Sequence, residues 1–156
     1  MTISRREFCA VTGSGLVALG LPGCGSVPKA TGVANAGPPA GIILNQAVFF
    51  KPQRLFVCRD AGGIFAVSSD CQHMHCDIEN NNGVDPPDDG GIGKMYFYLC
   101  PCHQSGYTYT GEIVHGPTVR PLFHHPVSLD PVTGDVMADS SVILLSDADK
   151  AMRLGA

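Results

Sequence analysis

From residue 42 onward the chain alternates short apolar runs with turn residues. Runs of strand length occupy residues 42–44, 47–50, 54–59, 64–67, 95–99, 107–110, 112–114, 126–129, 136–137 and 141–145. They are rich in β-branched and aromatic side chains, and Gly, Pro, Asn and Asp separate them, which is the pattern of strands and turns. Residues 54–59 and 64–67 flank Asp60-Ala61-Gly62-Gly63 and predict a hairpin. Gly111 marks a second hairpin tip, and Asp130-Pro131-Val132-Thr133-Gly134-Asp135 a third turn. Many short strands joined this way predict an all-β fold, a small antiparallel β-sandwich or barrel. Residues 146–154 predict two turns of helix with Ser146 as N-cap. Residues 25–41 are a Gly/Ala/Pro/Val run whose single charge is Lys29. With no period of 2 or 3.6, that run predicts a linker. No internal repeat is visible.

Composition narrows the class. A length of 156 residues fits one domain with a tail. The chain is 44% hydrophobic and 15% charged, which excludes a disordered acidic chain and a coiled coil. Its 19 Gly and 12 Pro are too many for a helix bundle. A net charge of −4 argues against nucleic acid as a partner.

The N-terminus carries addressing signals. Ser4-Arg5-Arg6-Glu7-Phe8 resembles the twin-arginine export signal. The apolar stretch 10–21 is shorter than the ~20 residues of a membrane-spanning helix and reads as a signal-peptide core. Leu21-Pro22-Gly23-Cys24-Gly25 resembles a bacterial lipobox, which would lipidate Cys24. A cleaved, unlipidated signal and a retained anchor are the alternatives. The implied location is the periplasmic side of the bacterial cytoplasmic membrane, by the route that exports folded, cofactor-loaded proteins.

Two clusters interrupt the strand pattern, each on a loop that follows a predicted strand. The first is Cys71-Gln72-His73-Met74-His75-Cys76, the second Cys100-Pro101-Cys102-His103-Gln104-Ser105-Gly106-Tyr107. Together they offer soft thiolates and borderline imidazoles to one metal site. The pairs are C-x-H and C-x-x-H, not the C-x₂₋₄-C and H-x₃₋₅-H spacings of a zinc finger. Such alternation can place both Cys on one iron and both His on another.

The double motif C-x-H-x-x-C with C-P-C-H-x-S resembles the Rieske iron–sulfur proteins, in particular the iron–sulfur subunits of cytochrome bc quinol-oxidising complexes. The similarity runs from about residue 54 to residue 122. It implies a Rieske-type β-fold with a cluster-binding subdomain of two loops and one [2Fe-2S] cluster. It implies that Cys71 and Cys100 bind the inner iron, that His73 and His103 bind the outer, solvent-facing iron, and that Cys76 and Cys102 form a disulfide joining the loops. Ser105 and Tyr107 stand where high-potential members carry hydroxyls that donate hydrogen bonds to a sulfide and a thiolate. Residues 116–122, Gly116 to Leu122, resemble the proline loop that covers the cluster. The implied organisation is a signal at 1–24, a linker at 25–41, a Rieske domain at 42–146 and a tail at 147–156.

Two features depart from the family pattern. His75 and Gln104 stand where a small residue, often Gly, is usual. The segment from His73 to Cys100 is also long, with an acidic stretch at 77–93 that reads as a solvated loop, then as a docking patch for a basic partner, and least as a calcium loop, since Gly83 is misplaced for an EF-hand and no helices flank it. His115, His124 and His125 read as surface histidines, and Cys58 as a buried inert thiol.

Functionally, the resemblance implies one-electron transfer coupled to a proton. The imidazoles of His73 and His103 gain protons more readily when the iron is ferrous. Quinol would be the donor, with His103 contacting it, and a cytochrome of b or c type the partner. The chain would then be the electron-transfer subunit of an oxidoreductase. The alternatives are a Rieske subunit of a periplasmic oxidoreductase, similar to those of arsenite oxidase and related molybdenum enzymes, and a structural zinc module. Attachment to the membrane would come through a lipid or a partner.

Overall fold

The computed structural model describes residues 32–80 and 96–155. Eleven strands and one short helix occur among them. They are β1 (Val33–Asn35), β2 (Ala47–Phe50), β3 (Leu55–Asp60), β4 (Gly63–Ser68), β5 (Glu79–Asn80), β6 (Tyr98–Leu99), β7 (Gly106–Tyr107), β8 (Ile113–His115), β9 (His124–His125), β10 (Val127–Leu129), β11 (Val136–Asp139) and α1 (Asp147–Ala151). They form three antiparallel sheets, in the orders β1-β11-β10, β2-β3-β4-β9 and β5-β6-β7-β8. The all-β expectation holds.

The β3–β4 hairpin is the middle layer, and its sequence explains why. Side chains alternate faces along a strand. Leu55, Val57, Ile64 and Ala66 pack with Ala34, Ile42, Val136 and Ala138 toward the first sheet. Phe56, Cys58, Phe65 and Val67 point the other way and pack with Ile78, Tyr98, Tyr107 and Leu122. The register agrees, with Cys58 opposite Phe65 and Phe56 opposite Val67. A strand buried on both faces reads as a continuous apolar run, as Leu55-Phe56-Val57-Cys58 does. Removing one of its large side chains, as in Phe56→Ala, would cost about 3–5 kcal/mol.

Several boundaries move. Residues 42–44 form no strand; Ile42 instead buries itself in the first core beyond a 3-10 turn at Pro39–Gly41. Residues 141–145 contribute only a bridge, His124 with Leu144. The expected linker at 25–41 contains β1, which pairs with β11, so residues 33–35 belong to the sheet. A three-residue strand is too short to show periodicity, and long-range pairing alone makes it. The helix of the tail is one turn shorter than expected, though Ser146 caps it by accepting the Asp149 N–H at 3.0 Å. Beyond it Leu154 exchanges backbone hydrogen bonds with Ile64 at 2.9 and 3.0 Å. Gly63 permits that approach, because a Cβ there would meet the Leu154 carbonyl at 2.8 Å. Arg153 fixes the same tail, its guanidinium 4.2 Å from the Phe65 ring centre and 3.0 Å from the Asp60 carboxylate.

His124 and His125 are not surface residues. Strand β9 closes the middle sheet against β4 and buries both, leaving each 6% exposed. Ring nitrogens satisfy the backbone there: His124 Nε2 lies 2.9 Å from the Thr110 carbonyl and His125 Nδ1 2.7 Å from that of Val142. The signals at residues 1–24 and the acidic stretch from residue 81 to residue 93 lie outside the described residues. No helix among the described residues is long and apolar enough to cross a membrane.

Candidate metal centre

Both Cys/His loops belong to the third sheet's end of the molecule. The first leaves β4, turns through residues 71–76 and returns to β5; the second is the tip of the β6–β7 hairpin. The two turn by the same backbone pattern. Cys71 N–H donates to the Cys76 carbonyl at 3.0 Å and His75 N–H to that of Cys71 at 2.8 Å. Cys100 N–H donates to the Ser105 carbonyl at 2.8 Å and Gln104 N–H to that of Cys100 at 3.0 Å. Each turn needs a left-handed residue, and these are His75 at φ 59° and Gln104 at φ 61°. This gives a physical cause for the two departures noted in the sequence. The positions favour glycine, and here larger residues accept the strain.

The Cys76–Cys102 disulfide ties the loops together, as the resemblance implied. Cys58, Cys71 and Cys100 are free and buried. Three sulfurs, those of Cys76, Cys100 and Cys102, lie within 4.8 Å of one another. Two of them are joined in the disulfide, so the thiols free to bind metal at this end are Cys71 and Cys100.

The imidazoles of His73 and His103 stand edge to face, with ring centres 4.7 Å apart. His103 is exposed and His73 half-buried. The inner Nδ1 of His73 is buried with no hydrogen-bond partner among the described residues. A buried ring nitrogen normally finds a partner, and a metal would satisfy this one. Ser105 Oγ is likewise buried with no well-formed hydrogen bond among the described residues, yet lies near enough to Cys71 to help lower that thiol. Tyr107 is fully buried with its hydroxyl 3.3 Å from Cys71 Sγ.

The two thiols differ in electrostatic setting. Burial opposes ionisation at both. At Cys71 the Tyr107 hydroxyl, the His73 amide and the neighbouring Cys100 outweigh it and bring the thiol below its ordinary value. At Cys100 burial prevails, joined by the charge of Cys71, and its thiol is raised. Cys71 thus gives up its proton more readily than Cys100, and cationic compensation, which iron would provide, favours both thiolates. Burial, followed by the hydrogen bond to Cys71, raises the Tyr107 hydroxyl, which stays a proton donor at neutral pH.

Among the described residues no three of Cys71, His73, Cys100 and His103 have ligand atoms that all fall within 4.8 Å. A single tetrahedral zinc, with bonds of about 2.0–2.3 Å, would draw its ligand atoms to about 3.3–3.8 Å of one another. A wider set is compatible with a two-iron centre. Buried thiols, an exposed His103 beside a half-buried His73 and a buried, unpartnered His73 Nδ1 all fit a [2Fe-2S] cluster.

The proline-bearing segment covers a flank. Gly116, at φ +104°, lies so close that a Cβ would meet Ser105 Cα at 2.5 Å. Thr118 is buried, its hydroxyl donating to the Arg120 carbonyl at 3.0 Å, while Val119 is 84% exposed.

One group of residues was not foreseen. Arg54, in the turn before β3, puts Nε 2.6 Å from Asp77 Oδ1 and Nη2 3.0 Å from Asp70 Oδ1. The same Nη2 donates to the His75 carbonyl at 2.8 Å, and Asp70 Oδ2 lies 2.9 Å from His75 Nδ1. The available signal was the pair of Asp residues placed just outside Cys71 and Cys76.

Known proteins carry related sequences. A family model described as "Rieske [2Fe-2S] domain" matches residues 40–127, more than half of the chain. The chain is 30% identical over 107 residues to the cytochrome b6-f complex iron-sulfur subunit of Prochlorococcus marinus, covering 68% of this chain and 54% of that one. It is 32% identical over 81 residues to the subunit of the same name from Chlorobaculum thiosulfatiphilum, covering 52% and 39%. It therefore spans about half the length, or less, of these relatives. A crystal structure of the cyanobacterial plasma membrane Rieske protein from Synechocystis aligns with a TM-score of 0.39 at 20% identity, covering 67% of this chain and 97% of that one. On the strength of the family match, this chain belongs to the Rieske [2Fe-2S] domain family, and its redox cofactor is a [2Fe-2S] cluster.

Proposed function

We propose that the chain is a one-electron carrier that takes an electron and a proton from quinol outside the cytoplasmic membrane and serves a cytochrome c-type acceptor. Cys71 and Cys100 would hold one iron, and His73 and His103 the other. Bound there, the cluster supplies a one-electron couple in the Rieske range of about −150 to +300 mV. The remaining chemistry belongs to side chains of this protein. Tyr107 donates a hydrogen bond to the Cys71 sulfur, and Ser105 holds a second hydroxyl at the same buried end. His103 meets the substrate: its outer ring nitrogen accepts a hydrogen bond from the quinol hydroxyl and takes its proton.

The observation that carries this proposal is the polarity of the site. Both candidate cysteines are 1% exposed, whereas His103 stands in solvent beside His73. A donor can therefore reach imidazole and not thiolate. The relatives named above are cytochrome b6-f subunits, which supports a cytochrome partner. Twin-arginine export and Cys24 lipidation complete the proposal, on the residues of the N-terminal signals.

Voltammetry of the loaded protein tests it. The potential is expected to fall with rising pH in the neutral to alkaline range, and His103→Ala should abolish quinol turnover. A potential independent of pH there would remove the coupling. Co-purification with a molybdopterin subunit in place of cytochrome b would favour the periplasmic oxidoreductase.

A further inference from the structure

We propose that Arg54 is a positioning residue for the cluster: its guanidinium clamps the first loop so that His73 presents Nδ1 to the metal. The proposal rests on the assignment of His73 as a ligand made above.

The clamp touches the loop at three places. It binds Asp70, one residue before Cys71; Asp77, one residue after Cys76; and the carbonyl of His75, the left-handed residue. Asp70 and Asp77 face each other as an isolated antiparallel bridge. Like charges placed directly opposite repel. Arg54 lies against both carboxylates and turns that repulsion into two ion pairs. Its fork geometry lets one group serve three acceptors, which the ammonium of a lysine would not reproduce.

The base of the clamp is firm. Arg54 is itself left-handed, at φ 50°, and its carbonyl accepts the Ser69 N–H at 2.8 Å. Its side chain is only 15% exposed. The loop it holds is the one in need of support. The second loop is backed by Gly116 and sits between paired strands β6 and β7. Both loops carry a left-handed non-glycine, His75 or Gln104. The first has no such backing strand among the described residues and is held from outside by the Asp70 carboxylate on the His75 ring and by Arg54 on the His75 carbonyl. Groups hydrogen-bonded to metal ligands typically carry about 10–100-fold in metal affinity, and Arg54 acts one contact further out, on the residues that flank Cys71 and Cys76.

The test uses the full chain loaded with its cluster. Arg54→Lys keeps the charge and loses the fork, and Arg54→Met loses both. Each is read by the EPR line shape of the reduced protein, by the half-life of cluster colour under an iron chelator, and by thermal unfolding. Expected are a broadened EPR signal and at least ~10-fold faster bleaching in both variants. His75→Gly in the Arg54→Met background should recover part of the lifetime, since glycine needs no external hold at that φ. If Arg54→Lys keeps the wild-type line shape and half-life, the clamp is overturned, whatever its melting temperature. The same holds if His75→Gly shortens the lifetime of Arg54→Met further. Nitrogen hyperfine coupling to His73, lost in His73→Cys, is checked in the wild-type background. Its absence would sink the ligand assignment itself, a result separate from any failure of the clamp.

Discussion

The Tyr107 hydroxyl lies 3.3 Å from Cys71 Sγ, and both side chains are shut off from solvent. A hydroxyl in that position donates to a thiolate in a low-dielectric setting, where the bond strengthens as negative charge on the sulfur grows. Reduction adds such charge, so the bond favours the reduced state. Tyr107→Phe removes the donor while keeping the ring. A differential of about 1 kcal/mol corresponds to about 40 mV for one electron. The potential of Tyr107→Phe should accordingly fall by about 30–60 mV, and that of Ser105→Ala by a similar amount. Voltammetry measures both, and unchanged values would show that neither hydroxyl bonds to the redox centre.

The disulfide leads to a second expectation. Cys76 and Cys102 are 26 residues apart, and a cross-link of that span restricts the unfolded chain by about 3–4 kcal/mol in the entropic account. It also has a chemical neighbour, since Cys100 Sγ lies within 4.8 Å of both its sulfurs. Iron would occupy Cys100 in the loaded protein. Stripped of the cluster and at a pH alkaline enough to take its proton, the Cys100 thiolate can attack one disulfide sulfur, forming a new S–S bond and releasing the other cysteine as thiolate. Non-reducing peptide maps of the stripped protein held at that pH should therefore show Cys100 paired with Cys76 or Cys102, and maps of the loaded protein only Cys76–Cys102. Identical maps would dismiss the exchange.

The parts of this molecule that could be read from its residues are those with local signatures. The β3–β4 hairpin announces itself through two apolar runs around Asp60-Ala61-Gly62-Gly63, and the loops at Cys71 and Cys100 through motif spacing. Strand β1 was invisible, because Val33-Ala34-Asn35 owes its conformation to pairing with Met137, Ala138 and Asp139 a hundred residues away. His124 and His125 were misplaced for a related reason. Polar residues are normally exposed, and the carbonyls of Thr110 and Val142, supplied by other segments, help make their burial tolerable. Arg54 looked like the charged edge of an apolar strand. Its three contacts with residues 70–77 come from the fold.

Cys58 offers a test of the middle layer. It is fully buried, 3.1 Å from the Tyr98 hydroxyl, and burial pushes its thiol up to about 12. The folded protein should resist alkylation at Cys58 near pH 9, where an exposed thiol is largely ionised. Because the unfolded thiol ionises first, its contribution also lowers stability as pH rises from about 9 toward 12. Mass-spectrometric mapping with iodoacetamide should find Cys58 unmodified in the folded, loaded protein and modified in denaturant. Rapid native labelling would mean that the hairpin opens readily.

His124 makes the opposite end of the pH scale informative. Burial lowers its pKa below the ordinary value, with Arg153 and Lys150 adding to the effect and the Thr110 carbonyl working against it. The folded state thus holds the imidazole neutral, while the unfolded chain binds a proton near its usual pKa of about 6.5. Below that value the unfolded state carries more protons, so stability must fall as pH drops from about 6.5 toward the depressed folded value. His124→Gln keeps an N–H able to reach Thr110 and cannot take up a proton. The variant should lose some stability at pH 8 through imperfect packing, yet show a shallower decline from about pH 6.5 to 5. The full slope for one proton is about 1.4 kcal/mol per pH unit, which sets the largest difference to be seen. Urea unfolding of cluster-loaded protein across that range measures it. Parallel curves for the two proteins would place the acid sensitivity elsewhere, at groups outside the β4–β9 seam.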